Sequence, residues 1–337
     1  MRTFASVSVV AVIVVLSGGF ALAQSGSGAA PHVAAAKAAA GTDQLALFNQ
    51  LCVPPPAAAP RGQAAAPQPA APQGPPPRSQ WHADPAKVFD NLYFLGMTEY
   101  TAWAVTTSDG IIVIDPLFDY SVEDEVVNGL TTLGLDPKRI RYVLVSHAHT
   151  DHVGGARLLQ ERFGAKVVMS AADWDLVATD TASYPKPKKD VVAVDGQKLT
   201  LGDTTLTMYL TPGHTLGTIS TIIPVKDNGR PHTALLWGGT NFNWRNNGGA
   251  RYITADRPAT FWYEHYSNSA RKMKDVAAKA SADILLSNHS NYDGSKTKLP
   301  ALMKRKADDA HPYVIGNASI GRFLTVADEC AKAGPLW

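Results

Sequence analysis

Three histidines and an aspartate fall within six residues at His147-Ala148-His149-Thr150-Asp151-His152. In extended backbone, residues two apart point the same way, so His147 and His149 share a face. Asp151 and His152 follow where the chain turns, and they aim at a second point nearby. Neutral imidazoles and carboxylates are good zinc ligands, with bonds of roughly 2.0–2.2 Å. A lone aspartate at such a place is most often a helix cap, and a lone histidine an ordinary polar residue. Four such groups packed together have metal binding as their simplest shared use.

The flanking sequence says how they are held. Ile140 to Val145 is apolar and β-branched, which predicts a strand. Val153 to Phe163 predicts a helix closed by Gly164. The cluster therefore sits at the carboxyl end of a buried strand and the mouth of a helix, where open α/β sheets build their sites.

Two further histidines stand at strand ends. His214 follows a strand predicted over Thr204 to Leu210, and His289 follows one predicted over Asp283 to Ser287. The remaining histidines, His32, His82, His232, His265 and His311, fit no motif and read as surface or supporting residues.

The rest of the pattern mixes strands with helices. Asn91–Met97, Thr101–Thr107 and Gly110–Ile114 read as short strands, with a hairpin turn at Ser108-Asp109-Gly110. Tyr120 to Leu133 reads as a helix, Ala165 to Ser170 as a strand and Ala171 to Ala178 as a helix. Tyr184 to Asp190 reads as a loop. In the second half, Lys198–Leu201 precedes the strand before His214, and Gly217–Pro224 and Thr233–Trp237 form a hairpin across Lys226 to Pro231. Phe261 to Ala280 is a long helix, and Asn317 is placed to cap a last one over Ala318 to Ala333. Strands and helices in both halves predict an α/β fold, an αβ/βα sandwich of two mixed β-sheets flanked by helices.

Composition divides the chain into three parts. Residues 1–23 read as a signal peptide: Arg2, an apolar run from Val7 to Leu16, and the small-x-small site Ala21-Leu22-Ala23. Residues 24–80 read as an Ala/Pro-rich arm and linker, because Val53 to Pro77 holds ten prolines in twenty-five residues and cannot bury a core. On that composition the arm is expected to be dispensable for turnover. Residues 81–337 read as the catalytic domain. The expected location is periplasmic or secreted, with no membrane association after signal cleavage. A net charge of +2 gives no electrostatic footprint for nucleic acid, so the expected partner is a small-molecule substrate. Nothing in the sequence marks an oligomeric state. Cys52 and Cys330 are the only cysteines. They either pair in an oxidising compartment or stay as two free thiols, and sequence alone does not fix the Cα separation that decides.

The His-x-His-x-Asp-His run after a strand, followed in order by His214 and His289, resembles the metal motif of the metallo-β-lactamase superfamily. The resemblance covers Trp81 to Trp337. It implies that His147, His149 and His214 hold one zinc ion and that Asp151, His152 and His289 hold a second, two per chain. Glyoxalase- and lactonase-like members usually carry a bridging Asp in the segment matching Trp237-Gly238-Gly239-Thr240, and some β-lactamases carry a Cys there. Here Thr240 stands at that position. The absence of either ligand, together with Asn91 to Gly96 and His147 to Gly155, looks like the third, cysteine-free, two-zinc subclass of class B β-lactamases.

That resemblance implies an exported zinc-dependent hydrolase that opens the β-lactam amide by attack of a zinc-bound hydroxide, conferring antibiotic resistance. Asp151 would be the catalytic carboxylate, orienting the attacking water and handling its proton. There are departures: β-lactamases usually place a Lys or Ser shortly after the Thr240 position to hold the substrate carboxylate, and this chain has Phe242 and Asn243. Thr240, Asn243 and Arg245 are the substrate-binding candidates, Arg245 as a substitute cation. The alternatives are the same fold acting on a lactone, ester or phosphoester, and an exported zinc-binding protein without turnover.

Overall fold

The computed structural model of the chain describes residues 28–54, 74–245 and 249–337. The expected signal peptide 1–23 and most of the Pro-rich linker lie outside the described residues.

The described part begins with two helices, α1 (Ala30–Ala40) and α2 (Leu45–Leu51). A seven-stranded sheet follows in chain order: β1 (Ala86–Phe89), β2 (Leu92–Phe94), β3 (Trp103–Thr107), β4 (Gly110–Ile114), β5 (Ile140–Leu144), β6 (Lys166–Ser170) and β7 (Val191–Ala193). It is antiparallel from β1 to β4 and parallel from β4 to β7. Its parallel connections carry α3 (Asn128–Thr132, entered through a π-helical turn at Glu123–Val127), α4 (Thr150–Val153), α5 (Ala156–Phe163) and α6 (Ala171–Thr179). A second sheet holds β8 (Lys198–Leu201), β9 (Thr204–Leu210), β10 (Ile219–Asp227), β11 (Arg230–Trp237) and β12 (Ile284–Ser287), in the order β12-β11-β10-β9-β8. The remaining helices are α7 (Ala259–Lys279), α8 (Ser290–Asp293), α9 (Ser295–Met303) and α10 (Asn317–Ala333).

Side-chain alternation explains why the central strands are apolar at every position. On β4, Ile111 and Val113 face the helices of the first layer, while Ile112 and Ile114 face the other sheet. β11 divides likewise, with Leu235 and Trp237 toward α7 and α10 and Ala234 and Leu236 inward. A strand covered on both faces needs apolar residues at both parities. The architecture is therefore the expected αβ/βα sandwich.

Several local expectations are revised. The β10–β11 hairpin is tight, closing at Asn228-Gly229 with both residues at positive φ (51° and 78°), a turn that asparagine and glycine adopt readily. Asn317 does not cap α10: Gly316 precedes that helix, and the Asn317 amide donates to the carbonyls of Ala277 and Ala282, tying α10 to the end of α7. β1, β7, α8 and α9 were not anticipated. The arm is not a mere spacer over its helical part: Ala36, Ala40, Leu47 and Leu51 are buried in the same core as α7 and α10. A disulfide between Cys52 and Cys330 fastens the end of α2 to α10. Among the described residues, no helix is long and apolar enough to cross a membrane.

Candidate metal centre

The six expected ligands converge at one edge of the sandwich. Four come from the segment after β5, one follows β9 and one follows β12. Backbone bonds sew these loops together: the Ile219 amide donates to the Ser146 carbonyl (2.7 Å), and the Thr101 amide donates to the Asn288 carbonyl (3.0 Å). The ligand atoms of His147, His149 and His214 form one group and those of Asp151, His152 and His289 another, each within 4.8 Å internally. These groups coincide with the two sets that the resemblance implies.

The imidazoles are oriented by what their far nitrogens hold. His147 Nδ1 donates to the Gly238 carbonyl and His214 Nδ1 donates to the Asn241 carbonyl, each at 2.7 Å. A carbonyl only accepts, so both protons sit on Nδ1 and both Nε2 atoms carry lone pairs. Those two Nε2 atoms face each other 3.0 Å apart. Two converging lone pairs repel unless a cation lies between or beside them. His149 has its Nε2 engaged by the Tyr252 hydroxyl at 2.6 Å, which leaves Nδ1 for the first group. Gly239 permits this crowding: a Cβ there would lie 2.5 Å from the His214 Cβ.

The second group carries its own mark. His152 is fully buried, and neither ring nitrogen has a hydrogen bond of acceptable geometry. Its Nε2 lies 3.0 Å from Asp151 Oδ2 and its Nδ1 lies 3.3 Å from Asp115 Oδ2. His289 Nε2 is 3.6 Å from the same Asp151 oxygen. Buried polar atoms are almost always satisfied. An orphaned imidazole nitrogen beside a carboxylate and another imidazole fits a divalent ion.

Electrostatics agree. Burial, reinforced by neighbouring imidazoles, holds His147 and His214 well below the usual histidine range. Burial brings His149 and His289 down to about 4. All four are therefore neutral at pH 7, the state that binds metal. Burial also acts against charge at His152, but the carboxylates of Asp151 and Asp115 outweigh it and push that ring up to about 10. Burial would raise Asp151, yet His152 and the other imidazoles hold it well below the carboxylate range. Without metal, then, His152 carries the positive charge that the carboxylates demand, and an incoming cation displaces that proton.

Three supporting residues escaped the sequence reading. Asp115 accepts from the Ser146 amide (2.7 Å) and hydroxyl (2.6 Å) while facing His152. Its positive φ of 53° turns the chain out of β4 to do so. Asp173, on α6, accepts from the amides of Ala148 and Gly217 and from the Thr215 hydroxyl; burial nevertheless raises it to about 6. Asn288 donates to the Gly238 carbonyl (2.7 Å), beside the His147 ring. Asp115 and Asn288 follow directly on strands and Asp173 lies in the first turn of α6, places where a polar residue otherwise passes for a turn or cap.

The substrate-binding candidates separate. Asn243 lies against the His214 ring and lines a cavity of about 510 Å3 that opens over Asp151, His149 and His289. Thr240 is fully buried, its hydroxyl toward Ser287 and its carbonyl accepting from Tyr266. Arg245 does not reach the cavity either: it donates to the carbonyls of Leu51 and Val53. Thr240 points away because it shares the parity of Phe242 and Trp244, which pack into the α7–α10 core, whereas Arg245 is drawn off by the carbonyls at the end of α2. The guanidinium that does line the cavity is Arg251.

Comparison with known proteins agrees with this geometry. The metallo-β-lactamase superfamily profile matches residues 96–227. A hydroxyacylglutathione hydrolase of Acidiphilium cryptum (strain JF-5) is 32% identical over 119 residues, 35% of this chain and 42% of that protein. A metal-dependent hydrolase of Anaeromyxobacter dehalogenans (strain 2CP-1 / ATCC BAA-258) is 37% identical over 131 residues, 36% of this chain and 44% of that one. The chain thus spans less than half the length of these curated relatives. Among solved structures, native FEZ-1 metallo-β-lactamase from Legionella gormanii aligns with a TM-score of 0.64 at 25% identity, covering 74% of this chain and 95% of that one. BJP-1, a subclass B3 metallo-β-lactamase of Bradyrhizobium japonicum, aligns at 0.60 with 24% identity, 73% and 91%.

Proposed function

The chain belongs to the metallo-β-lactamase superfamily, and from that premise we propose that it is an exported, two-zinc hydrolase whose substrate is a β-lactam amide. The observation that carries the metal is the pair of facing Nε2 lone pairs on His147 and His214. His147, His149 and His214 would hold one ion, and Asp151, His152 and His289 the other. Bound there, zinc supplies a polarised carbonyl and a water acidic enough to ionise near neutral pH.

The chain's own residues do the rest. Asp151, which lines the cavity and is ionised, orients the attacking water through its carboxylate. Asn243 and Tyr252 wall the cavity and position the substrate against the His214 and His149 side. A second cavity of about 590 Å3 shares Leu176, Asp180, Arg251 and Tyr252 with the first, so a bulky substituent has room to extend. Thr240 in place of a bridging carboxylate favours the β-lactam over lactones. The Cys52–Cys330 bond supports export, since such bonds persist in oxidising compartments.

A second reading is thioester or ester hydrolysis, which the hydroxyacylglutathione hydrolase relatives favour. The test is hydrolysis of a penicillin, a cephalosporin and a carbapenem beside a glutathione thioester and a lactone, with and without chelator. Chelator-sensitive turnover of a β-lactam supports the first reading. Chelator-sensitive turnover of the thioester alone supports the second.

A further inference from the structure

Arg245 follows directly on a cavity-lining segment, yet it faces away from the cavity. The chain leaving β11 runs past Gly238 and Gly239, and then Asn241 and Asn243 line the cavity while Phe242 and Trp244 go into the α7–α10 core. Asn241 supplies the carbonyl that fixes the His214 proton, and the Asn243 amide lies 3.0 Å from His214 Nε2 and 3.3 Å from the His214 carbonyl. Segment 241–245 is therefore both a wall of the site and the clamp on one ligand.

What anchors the far end of this segment is the arm. The Arg245 guanidinium donates to the carbonyls of Leu51 (3.4 Å) and Val53 (2.5 Å), the residues on either side of Cys52. It lies 5.9 Å from the Phe242 ring and 5.4 Å from the Trp337 ring. Arginine suits this place: its planar, multi-donor fork reaches two carbonyls at once while its face packs on aromatic rings. The carbonyls in turn are held by the Cys52–Cys330 bond to α10 and by the burial of Leu51.

We propose that Arg245 is a positioning residue that fastens the wall segment 241–245 to the disulfide-anchored end of the N-terminal arm and so keeps Asn243 seated against His214. The arm then contributes to the site without touching it. Reduction of Cys52–Cys330 would loosen the carbonyls that Arg245 holds, and the slack would appear at the cavity wall. This rests on reading the cavity as the hydrolytic site only where turnover is the readout.

The experiment uses the full chain with Arg245→Ala, Arg245→Lys and the double variant Cys52→Ala/Cys330→Ala, read by hydrogen exchange and by kinetics. Exchange at amides of 241–245 is expected to rise in Arg245→Ala and in the double cysteine variant, with α7 unchanged. Arg245→Lys should fall between, since an ammonium keeps the charge but not the fork. On a hydrolysed substrate, kcat/KM should fall about tenfold in Arg245→Ala, mostly through KM, the sign of a misplaced binding wall rather than lost chemistry. Exchange is independent of any turnover, so an inactive wild type sinks the hydrolase reading and leaves this one to the exchange result. Unchanged exchange at 241–245 in Arg245→Ala, or a rise of equal size throughout α7 and α10, overturns the proposal.

Discussion

The Asp173 carboxylate grips the backbone amide of Ala148, the residue between two metal-facing histidines, at 2.8 Å. The same oxygen accepts from the Thr215 hydroxyl beside His214, and the other accepts from the Gly217 amide, both at 3.0 Å. One side chain on α6 thus sets the distance between ligand loops that belong to different sheets. Asp173→Ala strands two buried amides, at about 1–3 kcal/mol each. It is expected to weaken zinc binding at the His147, His149 and His214 group about 10- to 100-fold. Competition against a chelator of known affinity measures this; unchanged affinity would remove Asp173 from the site.

Asp151→Asn keeps the shape of the side chain and removes its charge. Bound zinc should drop from two equivalents toward one, because a neutral amide oxygen is a poorer ligand. Turnover should fall by roughly 10²–10⁴, the scale of general acid–base contributions. His232→Ala is the control, since that ring is hydrogen-bonded to Asp283 outside both ligand groups. Near wild-type rates in Asp151→Asn with both metals retained would reduce Asp151 to a structural role.

Arg251 is the one permanently cationic side chain lining the site cavity among the described residues. Its guanidinium donates to the Tyr252 hydroxyl at 3.3 Å. Arg251→Ala should lower kcat/KM about 10- to 100-fold for a substrate carrying a carboxylate, the loss of one charge-assisted bond. The methyl ester of the same substrate should be nearly indifferent. Equal losses on acid and ester would mean that Arg251 does not read the anion.

Asp293 gives a pH dependence that can be signed. Burial raises its pKa from 3.8 to about 6, against hydrogen bonds from the amides of Ser287 and Ser295 and the charge of Lys298. Between those values the folded chain holds a proton that the unfolded chain has released. The contribution to stability is therefore complete below pH 3.8 and lost as pH rises through about 6. Its size is on the order of 3 kcal/mol from the linkage relation. Urea midpoints of wild type and Asp293→Asn between pH 4 and 7 measure it. Parallel pH profiles for the two would show that Asp293 does not titrate in that window.

Deleting residues 28–54 should destabilise the chain, contrary to what their composition suggests. Leu47 and Leu51 are buried, and burying a leucine stabilises by about 1.5–3 kcal/mol. Their removal also uncovers the α10 face on which α1 rests. A chain beginning at residue 74 is expected to unfold at distinctly lower temperature, measured by calorimetry. An unchanged midpoint would restore the arm to the status of a spacer.

The sequence made the ligands legible because metal chemistry demands particular side chains at fixed offsets, as His147, His149, Asp151 and His152 show. It made β4, β5 and β11 legible because strands buried on both faces leave unbroken apolar runs. It hid the supports. Asp115 reads as a strand terminator, and Asp173 as the third residue of a capped helix, where its amide does bond to Ser170. The roles of Arg245 and Arg251 depend on which way a loop turns after Trp237, and no local pattern encodes that. The burial of α1 and α2 was not legible either. An alanine-rich helix discloses no partner until α10 is placed beside it.

The two ligand sets draw on distant parts of the chain: the first closes only with residue 214, the second only with residue 289 of 337. A growing polypeptide therefore cannot assemble the second set until residue 289 has been added. No fragment ending before β12 holds more than two of those three groups. An ion held by all three groups of the second set can therefore bind only after the chain has passed β12, which pairs with β11 of the second sheet.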